Sequence, residues 1–291
     1  MAAEASLVAA RNGFGDVIKV INCKLEDIDQ QVPEKVDVIV SEWMGCFLLF
    51  ESMLESVLLA RDRFLKPGGL MYPRFANMYF APLSYAEFWR ANVGFLSDVE
   101  GIDLGVIIPS AKDQFTETAW KSMAVPPEVL IAAPQLLRRI DTSTISIAEL
   151  AALSTTPFSF TVKARAEVSD AHCLSAMPSA TPWKTGDPIE FHGFVLWFDC
   201  VFGDAGQVER ETSDASTSSS GSSDVVLSTK PGIRTHWEQD VCMFPDLAPC
   251  CEGDFISGIV QMKRNDDWKR HYDLEWSFRV GSTEIYKYLT L

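Results

Sequence analysis

VDVIVSEWMGCFLLFESMLESVLLARDRFLKPGG, residues 36–69, reads as a strand that crosses into a helix. The β-branched run from Val36 to Val40 has the composition of a fully buried strand. Leu54, Val57, Leu58 and Leu65 then recur at helical spacing, and Lys66-Pro67-Gly68-Gly69 supplies a stop. Glu42 therefore sits just past the carboxyl end of a strand, where open α/β sheets bind ligands. Glu42 and Glu51 are two carboxylates in a near-apolar setting, costly to bury unless a cation meets them. A guanidinium is the natural candidate, being planar, always charged and shaped for carboxylates. Three readings stay open on these residues: solvated helix caps with Glu51 in the first turn, a general acid/base pair as in glycoside hydrolysis, or a cation clamp. The apolar residues between them disfavour plain solvation.

Upstream, residues 2–11 have the alanine-rich composition of a helix that ends at Asn12-Gly13. VIKVIN, residues 17–22, reads as a further strand, with Glu26 and Asp27 beyond its end. The order helix, strand, strand-to-helix is half of a doubly wound sheet. A chain that opens in mid-helix, with no glycine-rich turn before it, is expected to lack the front of such a domain. Downstream the pattern changes. LMYPRFANMYFAPL (residues 70–83) looks like a crossing into a second domain, and residues 84–125 carry Phe88, Trp89 and Phe95 in a helical or irregular setting. After Leu130 come short alternating strands, among them FSFTVKARAEV, FHGFVLWFDCVF, VVLST, DFISGIVQMKR, YDLEWSFRV and EIYKYLTL, the pattern of an antiparallel sandwich or barrel. Residues 203–223 are serine-rich and of low complexity, and read as a disordered insertion.

Composition narrows the function. The chain has 291 residues, 47% of them hydrophobic, enough for two domains with a real core. A net charge of −15 argues against non-specific nucleic-acid binding and suits basic partners, although an acidic soluble surface explains it equally well. Seven cysteines without paired spacing form neither a disulfide framework nor a zinc motif, so no metal site is expected. No basic, apolar leader and no long apolar run is visible, so the expectation is a cytoplasmic or nuclear protein off the membrane.

SEWMG and ESM, spanning residues 41–53, closely resemble the double-E loop of protein arginine methyltransferases. Thr235-His236-Trp237 resembles the family's second active-site loop, and the order of elements fits over essentially the whole chain. The resemblance implies transfer of a methyl group from S-adenosylmethionine to an arginine side chain of a protein, with asymmetric dimethylation the expected outcome. Glu42 and Glu51 would clamp the substrate guanidinium, and His236 would stabilise Glu51 or carry away a proton. Trp237, Thr235 and Met44 would bind the substrate, Trp237 lining the arginine channel. Leu25 and Glu26 match the adenine-contacting positions and Met53 the methionine beside the reacting methyl group. Cys46 stands where many members carry an aromatic residue.

The fold class this implies is α/β plus β. Residues 1–73 would be the C-terminal part of a class I methyltransferase domain. Residues 74–291 would be an antiparallel β-barrel substrate domain with a dimerisation arm at about 84–115. Implied partners are basic arginine-containing proteins such as histones or RNA-binding proteins, and a second copy or a related methyltransferase, with no direct contact to nucleic acid or membrane. Members of the family carry a glycine-rich cofactor loop and a ribose-binding acid upstream; Glu4 lies too close to Asn12 to be that acid and reads as a helix-surface residue. A non-catalytic subunit that dimerises with a complete methyltransferase is the alternative reading.

Overall fold

The computed structural model describes residues 1–28, 31–32, 34–163, 188–203 and 225–290. The first helix, α1 (Ala2–Arg11), ends where the sequence places its stop. Asn12 turns its side-chain amide back onto the Val8 carbonyl at 2.9 Å, and Gly13 takes a φ of 81°. Residues 17–22 do not form the expected strand. A strand is defined by its ladder, and among the described residues none runs beside this segment; Val17 is 79% exposed.

Strand β1 (Val36–Val40) runs parallel to β2 (Leu65–Tyr72), and α2 (Met53–Phe64) makes the crossing between them. A parallel pair needs such a crossover connection. Leu54, Val57, Leu58 and Phe64 put one stripe of α2 into the core, as their spacing requires. The expected stop at Lys66 to Gly69 ends the helix and then bulges into β2, where the register slips between Val36 and Val38. The reading of β1 as fully buried is overturned: Val40 is 72% exposed and Val38 42%, because among the described residues only β2 pairs with β1.

The remainder is built of antiparallel strands: β3 (Phe75–Leu83), β4 (Trp120–Met123), β5 (Gln135–Asp141), β6 (Ser154–Thr161), β7 (Ile189–Phe202), β8 (Val225–Ser228), β9 (Gln239–Cys250), β10 (Phe255–Arg264), β11 (Tyr272–Val280) and β12 (Thr283–Thr290). One sheet has the order β4-β9-β7-β3-β5 with β8 added on β7, and the other the order β12-β11-β10-β6. No closed barrel forms among the described residues; the two sheets face each other around one core, an arrangement that is barrel-like. Aromatic rings fill the space between them. Phe194 stacks on Trp276 at 4.6 Å, and Phe80 meets Phe158 and Phe160 edge-to-face at 5.4 and 5.1 Å.

Between β3 and β4 the chain makes α3 (Ala86–Asn92) and α4 (Ile108–Thr116) with short 3-10 turns between. The aromatic residues of this segment divide between packed and exposed. Phe88 and Trp89 pack locally against Phe115, whereas Phe95 stays exposed together with Ile102 and Val106. A fifth helix, α5 (Ile147–Ala151), opens with a reciprocal capping box between Ser146 and Glu149. Arg61 of α2 donates to the Thr142 and Ile145 carbonyls just before it, at 2.8 and 2.7 Å, tying the α/β part to the sheets. Of the expected insertion at 203–223 only Gly203 lies within the described residues.

Candidate active site

The loop from Ser41 to Ser52 joins β1 to α2 and folds back on itself. Gly45 N–H donates to the Leu48 carbonyl at 2.9 Å, which reverses the chain. A Cβ on Gly45 would overlap the Phe50 carbonyl, so the backbone closes there only around glycine. Phe47, Leu48, Glu51 and Ser52 all have φ between 51° and 79°. Each such non-glycine residue costs about 1–3 kcal/mol and persists only where its surroundings hold it. Trp43, Met44, Phe47, Leu48 and Leu49 do the holding by burying their side chains in the core. Glu51 is therefore not in the first turn of α2; it precedes the N-cap Ser52.

Both glutamates point the other way and are exposed. The burial cost anticipated for them does not arise, because the apolar residues between them turn inward and the carboxylates do not. Glu42 Oε1 accepts the Met44 N–H at 3.1 Å, and Glu51 forms an ion pair with Arg270 at 2.9 Å. The β10–β11 turn that carries Arg270 is itself fastened to the loop. Glu51 N–H donates to the Arg270 carbonyl at 2.8 Å, and Ser52 Oγ donates to the Lys269 carbonyl at 2.6 Å. His271 makes an edge-to-face contact with Phe50 at 5.0 Å, and Arg264 pairs with Glu55 on α2.

Residues 235–240 form the opposite wall. Trp237 is buried, and its indole N–H donates to the Met44 carbonyl at 2.8 Å. His236 lies exposed against the Trp237 ring, centroids 3.6 Å apart, and Thr235 Oγ1 accepts the Glu238 N–H at 3.1 Å. Asp240, 3% exposed, accepts the Phe47 N–H at 2.6 Å and the Ser122 N–H at 3.3 Å. Burial pushes its carboxyl up to about 6, against the pull of those two N–H groups and of Lys121. His192 is fully buried at the base of α3, and burial lowers its pKa.

The structure thus joins Met44 to Trp237, Trp237 to His236, and Glu51 to Arg270. Leu25 and Glu26 lie in a 3-10 turn against α2, where Glu26 Oε1 accepts the Ser56 hydroxyl at 2.9 Å. Met53, half exposed, stands one turn before Ser56 on the same side of α2. Backbone and Ser56 hydrogen bonds lower the pKa of Glu26, which keeps it an acceptor. Asp240, Ser122 and Arg270 were not singled out from the sequence. An acid opening the apolar run of β9 was the available signal for Asp240; Arg270, in a polar turn, offered none.

A family profile described as the arginine methyltransferase oligomerization subdomain matches residues 74–283. The chain belongs to the protein arginine N-methyltransferase family. A probable protein arginine N-methyltransferase 6.1 from rice (Oryza sativa subsp. japonica) is 34% identical over 99% of this chain and 69% of its own length. Human protein arginine N-methyltransferase 2 is 32% identical over 98% of this chain, which spans 57% of that relative. Among solved arginine methyltransferase structures, the Trypanosoma brucei PRMT1 enzyme-prozyme heterotetrameric complex with AdoHcy superposes with a TM-score of 0.73 at 26% identity, covering all of this chain and 78% of that one. Protein arginine methyltransferase 10 of Arabidopsis thaliana gives 0.67 at 28% identity, covering 99% and 79%. Within this arginine methyltransferase the oligomerization subdomain takes in β3 to β11 and α3 to α5, while the loop bearing Glu42 and Glu51 precedes it.

Proposed function

We propose that this chain carries the arginine-accepting side of an S-adenosylmethionine-dependent protein arginine methyltransferase. Residues 1–73 would be the C-terminal part of the methyltransferase domain and residues 74–291 the substrate domain. The observation that carries the reading is the loop itself, which buries its apolar residues and presents Glu42 and Glu51 outward from its two ends. Two carboxylates so placed bind a guanidinium and draw its positive charge toward the bound nitrogens, so the remaining nitrogen keeps lone-pair density as nucleophile. This is catalysis by positioning and preorganised charge. Trp237 supports the loop through Met44, Thr235 shapes the turn that carries it, and His236, exposed beside them, would stabilise Glu51 or carry away the proton released from the alkylated nitrogen.

The residues assigned to the cofactor fit a nucleoside: Leu25 and Met53 offer apolar surface, and the Glu26 carboxylate keeps acceptor capacity beyond the Ser56 hydroxyl. When bound, S-adenosylmethionine supplies a methyl group on a sulfonium. Glu26 would accept from the exocyclic amine of the adenine. The partners are basic arginine-containing proteins, such as histones or RNA-binding proteins, met by a chain of net charge −15. A second copy or a related methyltransferase would complete a dimer through the helical arm, and the site of action would be cytoplasmic or nuclear.

A second reading, a non-catalytic subunit of a complete arginine methyltransferase, is favoured by one observation: Glu51 is already engaged by Arg270. The Trypanosoma neighbour, an enzyme-prozyme complex, gives that arrangement a parallel. Radiolabelled methyl transfer to an Arg/Gly-rich peptide separates the two. Activity of this chain, abolished by Glu42→Gln and by Glu51→Gln with the fold unchanged, supports the catalytic reading. No activity alone, with stimulation of a complete related enzyme, supports the subunit.

A further inference from the structure

The loop bearing Glu42 and Glu51 is strained; Trp237 holds it at the Met44 carbonyl and the turn at residues 269 and 270 holds it at Glu51 and Ser52. Asp240 fixes the stretch between. Its Oδ2 takes the N–H of Phe47, the first of the left-handed residues, at 2.6 Å, and its Oδ1 takes the N–H of Ser122 at 3.3 Å. Ser122 belongs to β4, the strand that follows α4, and it too has a positive φ of 52°. Two more contacts join β4 to the same loop: Ser122 Oγ lies 3.5 Å from Cys46 Sγ, and Lys121 Nζ sits 3.7 Å from the centre of the Phe50 ring. One buried carboxylate therefore meets two backbone N–H groups from segments far apart in sequence, each bent where side chains rarely go.

We propose that Asp240 is a positioning residue for the arginine-binding loop, setting the register of Phe47 and with it the direction in which Glu51 presents its carboxylate, and that it ties this loop to β4 beyond the helical arm. The proposal rests on the acceptor-site reading for its functional half and on geometry alone for its structural half. A carboxylate meets both donors at once because it accepts through both oxygens. Asparagine at this position accepts through one oxygen only, and alanine through none. Releasing the two N–H groups leaves the buried Phe47 donor and the part-buried Ser122 donor without this partner, which the loop relieves by opening to water.

The test combines residue-resolved hydrogen exchange with binding of an Arg/Gly-rich peptide, on the whole chain, for Asp240→Ala and Asp240→Asn. In Asp240→Ala the Phe47 and Ser122 amides exchange about tenfold faster or more while those of Phe194 to Phe198 in β7 do not change, and peptide affinity falls by about tenfold. Asp240→Asn keeps one of the two amides protected and recovers most of the affinity, which a residue needed only for folding would not show. Unchanged exchange at Phe47 and Ser122 in both variants overturns the proposal. So does a uniform rise across the β7 core, or an Asp240→Asn protein as impaired as Asp240→Ala. If Asp240→Ala does not fold, the selective exposure of one amide in Asp240→Asn decides alone. A wild-type chain that fails to bind the peptide sinks the acceptor-site reading, while the exchange pattern still judges the tie.

Discussion

Arg270 holds its guanidinium 2.9 Å from the Glu51 carboxylate, so a guanidinium of the chain itself sits where the acceptor arginine would be clamped. The contact is not an idle surface pair, because the backbone of residues 269 and 270 is hydrogen bonded to residues 51 and 52. On the proposed acceptor-site reading an incoming arginine would have to displace it. Arg270→Ala is therefore expected to tighten binding of an Arg/Gly-rich peptide about three- to tenfold in calorimetry, while overall stability moves by less than about 1 kcal/mol because the pair is exposed. Unchanged affinity would mean that substrate does not use this face of Glu51.

Gly45→Ala is expected to disrupt the loop more than its size suggests. The new methyl group meets the Phe50 carbonyl, and that backbone cannot retreat without moving Glu51. A loss of about 1–3 kcal/mol in denaturant unfolding, with loss of peptide binding, is the expected outcome. Full binding with native stability would show that the reversal tolerates a side chain.

Trp237→Phe keeps an aromatic side chain but shrinks the buried indole to a phenyl and removes its N–H. The Met44 carbonyl then loses its buried donor, at a cost of about 1–3 kcal/mol. The measurement is unfolding free energy together with peptide affinity, and a change in neither would remove Trp237 from the support of the loop.

Asp240 also gives stability a pH dependence of definite sign. Burial raises its pKa to about 6 in the folded chain, above the ordinary carboxylate value, so between these limits the native state binds the extra proton. Its contribution is therefore full at low pH and is lost as pH rises through about 6. Lys121 on β4 and Cys242 on β9 face the same carboxyl; Lys121 opposes the shift, and Cys242 stays protonated because its own pKa is raised further by burial. Relative to Asp240→Asn, the wild type should lose up to about 3 kcal/mol between pH 4 and pH 7 in urea titrations. A flat difference would exclude the shift.

The sequence made the strand-to-helix crossing and most of the antiparallel strands legible, because their periodicities of two and of 3.6 residues reflect packing that the structure reproduces. It misled at Val17 to Asn22 and at Val38 and Val40, where β-branched composition signals a strand but burial depends on a neighbour that composition does not reveal. Strand β9 escaped notice because Asp240, Pro245 and Pro249 interrupt its alternation. The two glutamates and the Thr235-His236-Trp237 loop were readable as motifs. Their supports were not: Asp240, Ser122 and Arg270 act through backbone groups and a turn contact across 76 to 219 positions of chain, by the distances from Cys46 to Ser122 and from Glu51 to Arg270.

The outward face of β1 has a practical side. A short strand with exposed valines and, among the described residues, a partner on one side only is a template for other extended chains. Concentrated preparations should cloud with time and temperature, starting from this edge. Lysine in place of Val40 ought to keep them clear without touching the loop that begins one residue later.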